Sequence, residues 1–216
     1  MKTDRICGRK LCRPGGFIAT DMALKFCNFK KGAKLADIGC GYGATVRYIK
    51  SHYGFDICGI DKDPSICDEI NSQEKLVITA DAENLPFADK QMDGLLFECS
   101  LSKMKEPDNV LTECYRVLKD NGYLIISDLY ARGKEANLSG ILGRIDAKKT
   151  ITDRLQRHHF SPRFIEDFTE SMRKIWGQML FDYGPDELYS NIRADGKILN
   201  EIKCGYCLIV AQKETR

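Results

Sequence analysis

The chain has 216 residues, 43% of them apolar and 30% charged, the proportions of an ordinary soluble globule with enough length to bury a core. Lys and Arg number 33 against 31 Asp and Glu, a net charge of +2 with no long basic run, so the sequence makes no electrostatic case for a nucleic-acid binder. No apolar run approaches the ~18 residues of a membrane span. The start, Met1 to Arg5, leads into no apolar stretch, so no signal peptide and a cytoplasmic location are expected. The ten cysteines are then expected as reduced thiols. Cys58, Cys114 and Cys207 sit in apolar runs and read as small buried hydrophobes. Cys204 and Cys207 have the spacing of a metal or redox pair, but no second pair accompanies them, and no metal is expected.

Residues 1–16 lack periodicity and end in the turn Arg13-Pro14-Gly15-Gly16. Residues 17–29 have helical spacing, stopped by Lys31-Gly32. An alternating series follows. Strands are predicted at 34–38, 56–60, 76–79, 93–98 and 123–127. Helices are predicted at 44–50, from Pro64, and at 109–118. This alternation argues for a parallel sheet covered on both faces.

The last third reads differently. Residues 131–150 are polar with weak helical signals, and 151–158 is a predicted helix. Residues 160–168 read as a strand entering a helix whose Met172, Ile175, Trp176, Met179 and Leu180 are expected as core, and 206–212 is a final strand. The chain is read as one domain. It comprises a cap segment (1–30), a cofactor-binding core (31–130), an acceptor-side region (131–200) and a closing strand (201–216).

The most informative stretch is Asp37-Ile38-Gly39-Cys40-Gly41-Tyr42-Gly43-Ala44, glycines at the carboxyl end of the first predicted strand. There the backbone can turn sharply and the next helix offers free N–H groups to a ligand. Two cofactors compete. Gly39, Gly41 and Ala44 fit the dinucleotide pattern, with Asp61 placed to hold ribose hydroxyls. Gly39, Gly41 and Gly43 fit the turn used for S-adenosylmethionine. Asp37 decides against a pyrophosphate, because a carboxylate is unfavourable beside a dianion and favourable beside an amino group. Asp81 and Glu83 add an acidic site after the third strand, and the chain closes on two strands rather than a second dinucleotide half.

Motif by motif, the chain resembles a class I S-adenosylmethionine-dependent methyltransferase of the small UbiE-like branch, the methyltransferase domain 11 group. The resemblance rests on residues 35–43, 59–61, 81–87, 92–97, 113–118 and 121–124, in family order and spacing. Residues 205–213 resemble the closing strand. Arg13 to Gly16 and Phe181 to Gly184 resemble a bacterial branch. The resemblance implies a Rossmann-like α/β doubly wound seven-stranded sheet in the order 3-2-1-4-5-7-6, with strand 7 antiparallel and helices on both faces. It implies that Gly39–Gly43, with Asp37, Ile38 and Cys40, backs the methionine part of the cofactor. Asp61 would hold the ribose, Asp81 with Ala82 would meet the adenine, the backbone of Phe97 and Glu98 would face the methionine amino group, and Lys62 and Glu83 are further cofactor-binding candidates.

Many relatives carry a histidine shortly after strand 4, where this chain has Glu98-Cys99-Ser100-Leu101-Ser102-Lys103. Acceptor-side candidates are Arg13, as a cap or a solvated loop charge, Ser102, His158 and His159. Glu98 and the two histidines are the candidate general bases. Cys40 is expected to be there for its size, and the scattered cysteines do not suit arsenite methylation. The expected function is methyl transfer to a small-molecule acceptor, with no nucleic-acid or membrane partner. A catalytically silent cofactor-binding subunit and an NAD-dependent oxidoreductase are the alternatives. Residues 1–20 and the 131–200 region are expected to converge as a lid over the carboxyl edge of the sheet.

Overall fold

A computed structural model describes residues 13–138, 140, 142–194 and 196–215. The part of the cap segment before Arg13 lies outside the described residues. The chain order is α1 (Gly16–Cys27), β1 (Lys34–Ile38), α2 (Ala44–His52), β2 (Asp56–Asp61), α3 (Pro64–Asn71), β3 (Val77–Thr79), β4 (Met92–Glu98), α4 (Pro107–Val117), β5 (Leu118–Ala131), β6 (Ala136–Asn137), β7 (Arg144–Ile145), α5 (Lys148–Arg157), β8 (Phe160–Asp167), α6 (Thr169–Ile192), α7 (Gly196–Ile202) and β9 (Cys204–Lys213).

Seven strands form one sheet in the order β3-β2-β1-β4-β5-β9-β8. Strands β1 to β5 pair in parallel, and β9 runs antiparallel between β5 and β8, with Ser127 and Glu166 both opposite Leu208. Setting aside the small β6–β7 hairpin, this is the 3-2-1-4-5-7-6 order expected from the resemblance.

Alternation along the central strands sends neighbours to opposite faces. Leu95 and Phe97 enter one core with Ile38, Leu111, Leu118 and Leu155, while Leu96 and Leu35 enter the other with Leu24, Val46, Ile49 and Leu208. Helices α1, α2 and α3 therefore cover one face, and α4 and α5 the other. Both central strands are buried over almost their whole length, as parallel strands covered on two faces must be. Helix α3 opens as its sequence suggests, with Pro64 in its first turn and Asp63 accepting from the Ser65 N–H at 2.9 Å. Helix α1 ends earlier than expected, at Asn28, whose left-handed conformation (φ 48°) caps it.

Beyond β5 the structure departs further from the expectation. Strand β5 continues to Ala131, which pairs with Cys204. Part of the weakly patterned 131–150 region is the β6–β7 hairpin. Helix α6 is kinked at Gly184 (φ 73°) before Pro185. Trp176, Met179 and Leu180 pack at the edge of a third core built on Leu142, Ile145, Leu188, Ile192 and Ile202. Cys207 faces the first core and Cys204 the third, so their side chains leave β9 on opposite faces.

Candidate active site

Gly39, Gly41 and Gly43 all take left-handed backbone angles (φ 73°, 49° and 70°), which explains why the turn after β1 is glycine-rich. The turn is held from two sides. The N–H groups of Gly39 and Cys40 donate to the Ile60 carbonyl at 2.7 and 3.0 Å. Asp61, at the end of β2, accepts from the Gly41 N–H at 2.8 Å and the Asp63 N–H at 3.1 Å. A side chain at Gly39 would meet Ser100 Cβ at 2.7 Å, and Ser100 Oγ donates to the Ile38 carbonyl at 2.6 Å. The turn is thus wedged between β2 and the loop leaving β4.

Above it lies an open cleft of about 1030 Å³ at the carboxyl edge of the sheet. Of the residues proposed from the sequence, Ile38, Gly39, Gly41, Asp61, Lys62, Asp81, Ala82 and Glu83 line it. Asp81 accepts from the Glu83 N–H at 2.9 Å, which shapes the loop after β3. The structure adds Cys99, Ser100, Lys103, Met104 and Lys105 from the loop after β4.

Other proposed residues stand behind this lining. Asp37 is 3% exposed beneath the turn. Burial pushes its carboxyl up to about 7, Arg13 opposes that shift and Asp61 adds to it. Cys40 packs onto Gly59, where a Cβ would come within 2.5 Å of its sulfur, so its bulk fills a gap in the β1–β2 packing. Burial holds its thiol far above the ordinary range, a poor setting for a nucleophile. Gly43 serves as the N-cap of α2, and Phe97 is fully buried in the core.

Glu98 is the centre of a buried cluster. It forms an ion pair with Arg13 and accepts hydrogen bonds from Thr20, at 3.0 Å, and from Thr45. Arg13 also donates to Thr20 at 2.7 Å. The solvated-loop reading of Arg13 is therefore corrected. Its side chain is 7% exposed and fastens the start of α1 against the end of β4. With both oxygens occupied by these partners, Glu98 is placed as a structural anchor rather than a free base.

The two histidines are likewise corrected as acceptor-side candidates. His159 precedes β8, and β8 begins opposite Lys213, the residue after Gln212, which pairs with Tyr123. That is the edge opposite the glycine turn. His158 pairs with Asp108 at 2.8 Å, and its neighbourhood pulls the Asp108 carboxyl below its usual range. Neither histidine lines the cleft. Ser102 does lie beside it, but its N–H and hydroxyl both donate to Asp128, at 2.9 Å each.

Cys99 is one of the lining residues that sequence reasoning passed over. It follows β4 in a left-handed conformation (φ 54°), and its sulfur lies 3.1 Å from the hydroxyl of the buried Tyr206, which donates to the Ser127 carbonyl at 3.0 Å. Burial pushes the Cys99 thiol up to about 11, so it is a neutral wall and not a thiolate. The available signal was its place in the stretch that departs from the family pattern.

An open parallel sheet with a glycine turn at its first strand, acidic residues ending the second and following the third, and an antiparallel seventh strand has the architecture of the class I S-adenosylmethionine-dependent methyltransferases. Residues 36–126 match the methyltransferase domain family. Over 112 residues the chain is 30% identical to a sarcosine/dimethylglycine N-methyltransferase of Aphanothece halophytica, covering 48% of this chain and 40% of that protein. A phosphoethanolamine N-methyltransferase 2 of Haemonchus contortus, solved with S-adenosyl-L-methionine, superposes with a TM-score of 0.77 at 17% identity, over 99% of this chain and 56% of that one. The [4+2]-cyclase SpnF superposes with a TM-score of 0.73 at 22% identity, over 91% and 80%. These structures share the fold. The chain spans 40–55% of the length of three curated relatives that it matches. Among the described residues no helix is long and apolar enough to cross a membrane.

Proposed function

We propose that the chain transfers a methyl group from S-adenosylmethionine to a small-molecule acceptor in the cleft at the carboxyl edge of the sheet. The observation that carries this reading is the cleft itself. The glycine turn forms its floor, Asp61 and Asp81 stand together on one wall, and the loop after β4 forms the other. In this reading the backbone from Ile38 to Gly43 backs the methionine part of the cofactor, over the buried Asp37. Asp61 and Lys62 take the ribose, Asp81, Ala82 and Glu83 take the adenine, and the end of β4 at Phe97 and Glu98 meets the amino group.

When bound, S-adenosylmethionine supplies a methyl group already activated on a sulfonium. What remains for the protein is to align the acceptor behind that carbon and to keep water out, and alignment can account for up to roughly 7–11 kcal/mol of barrier reduction. The turn suits this task because the protein itself holds it in place, through Ile60, Asp61 and Ser100.

Incubating the protein with a small-molecule metabolite extract and methyl-labelled S-adenosylmethionine separates the readings. A labelled small molecule that forms only with intact protein is the expected result. Cofactor binding with no transfer to any component would replace the proposal with that of a non-methylating protein.

A further inference from the structure

The cleft has two chemically different walls. On the side of β2 and β3 stand Asp61, Asp81 and Glu83, with Lys62 as their neighbour. On the side of β4 the wall is Lys103-Met104-Lys105, just after a 3₁₀ turn at Leu101–Lys103. The same three residues form one wall of a second pocket, about 620 Å³, closed on its far side by Asn137, Leu138, Gly143 and Arg144 of the β6–β7 hairpin. The second pocket therefore adjoins the cleft across a single stretch of chain.

Its charge is one-sided. Lys103 and Lys105 are exposed, and among the described residues neither has a carboxylate within ion-pair distance. Arg144 is held in place, its Nε donating to Asp146 at 2.9 Å and its Nη1 reaching the Met104 carbonyl at 3.5 Å. Its Nη2 has no partner among the described residues. The neighbouring carboxylates, Asp146 and Asp128, are already engaged. Asp146 is shared with Arg154 at 2.6 Å, and Asp128 accepts from the Ser102 N–H and hydroxyl and the Leu129 N–H.

The hairpin is also fitted to the wall. Gly143 has a left-handed φ of 64°, and a Cβ there would lie 2.5 Å from the Ser102 carbonyl oxygen. Only glycine permits this approach, so Arg144 is delivered to a fixed position beside the two lysines. A held guanidinium in one pocket with two exposed ammonium groups suits an oxyanion, because the planar fork orients it and the lysines add charge.

Building on the methyl-transfer reading, we infer that this pocket binds the oxyanion group, phosphate or carboxylate, of the methyl acceptor, through Lys103, Lys105 and Arg144. The acceptor then lies across the Lys103–Lys105 wall, its charged end in the hairpin pocket and its nucleophile in the cleft. The cationic cofactor and the anionic acceptor would attract each other across that wall.

The test uses the whole chain saturated with S-adenosylhomocysteine, titrated with inorganic phosphate at constant ionic strength and followed calorimetrically. Saturable phosphate binding is expected, weakened at least about tenfold by Arg144→Gln and about threefold by Lys105→Gln, with S-adenosylhomocysteine affinity unchanged in Arg144→Gln. Lys105 is exposed, so the second variant answers the question even if the first misfolds. Phosphate binding that is absent, or equal in wild type and the Lys105 variant, would overturn the inference while leaving methyl transfer standing. Failure of wild type to bind S-adenosylhomocysteine would strike the methyl-transfer reading itself. Among labelled products of the extract reaction, an acceptor with no anionic group would also overturn the inference.

Discussion

Residues 36–126 and residues 131–203 follow different rules. In the first region β1 leads straight into a glycine, and β2 and β4 end on acids at the same edge of the sheet. Local patterning and backbone chemistry are sufficient there, as the Gly39–Gly43 turn and the Asp63-Pro64 helix start show. In the second region contacts across long stretches of chain decide the structure. A Cβ on Gly133 would clash with the Glu201 carbonyl oxygen at 2.1 Å, Ala131 pairs with Cys204, and the small third core joins residues as far apart as Leu142 and Ile202. The contrast teaches that the cleft is set by local sequence and the pocket beside it by long-range contacts, and that the two meet at the loop after β4.

The largest expected effect concerns the tie between the N-terminal helix and the first region. Glu98→Gln leaves the buried Arg13 without its counter-charge, and should cost about 3–5 kcal/mol of stability in urea unfolding. A loss under about 1 kcal/mol would mean that α1 is held by its apolar face alone.

Asp37 gives a pH signature. Its folded value of about 7 lies above the ordinary 3.8, so the folded state holds this proton more tightly than the unfolded chain. Its contribution to stability is complete below about pH 4 and is lost as pH rises to about 7, by up to a few kcal/mol. Asp37→Asn should flatten the stability–pH profile over that window. An unchanged slope would show that the carboxyl is ionised throughout.

Asp61→Ala should weaken S-adenosylmethionine binding by about 2–3 kcal/mol in calorimetry, the loss of a charge-assisted hydrogen-bond pair. Unchanged affinity in a folded variant would remove Asp61 from the cofactor site. Gly143→Ala forces a side chain into a left-handed position against backbone, a strain of about 1–3 kcal/mol. It should slow transfer to the acceptor while cofactor affinity stays the same. A parallel loss of cofactor binding would erase the division between the cleft and the pocket.

The sequence was legible where one residue type can do only one job. The glycine turn and the carboxylates at Asp61 and Asp81 came from such positions, while the strand order came from the family resemblance. The partnership of Arg13 with Glu98 was not legible, because 85 residues separate two charges that meet only after folding. His158 and His159 show the same limit. Their chemistry suits catalysis, but the strand they precede starts at the edge away from the cleft. Cys99 was hidden for another reason. A left-handed cysteine has no local signature, and its position depends on Tyr206, more than a hundred residues later.

The central claim is that the glycine turn and the acids at Asp61 and Asp81 form a site for S-adenosylmethionine. Equilibrium titration of the full chain with S-adenosylmethionine and, separately, with NAD tests it most directly. Saturable one-to-one binding of S-adenosylmethionine, not displaced by NAD and weakened in Asp61→Ala, is the result predicted. Saturable binding of NAD, or no binding of S-adenosylmethionine by the folded protein, would contradict it.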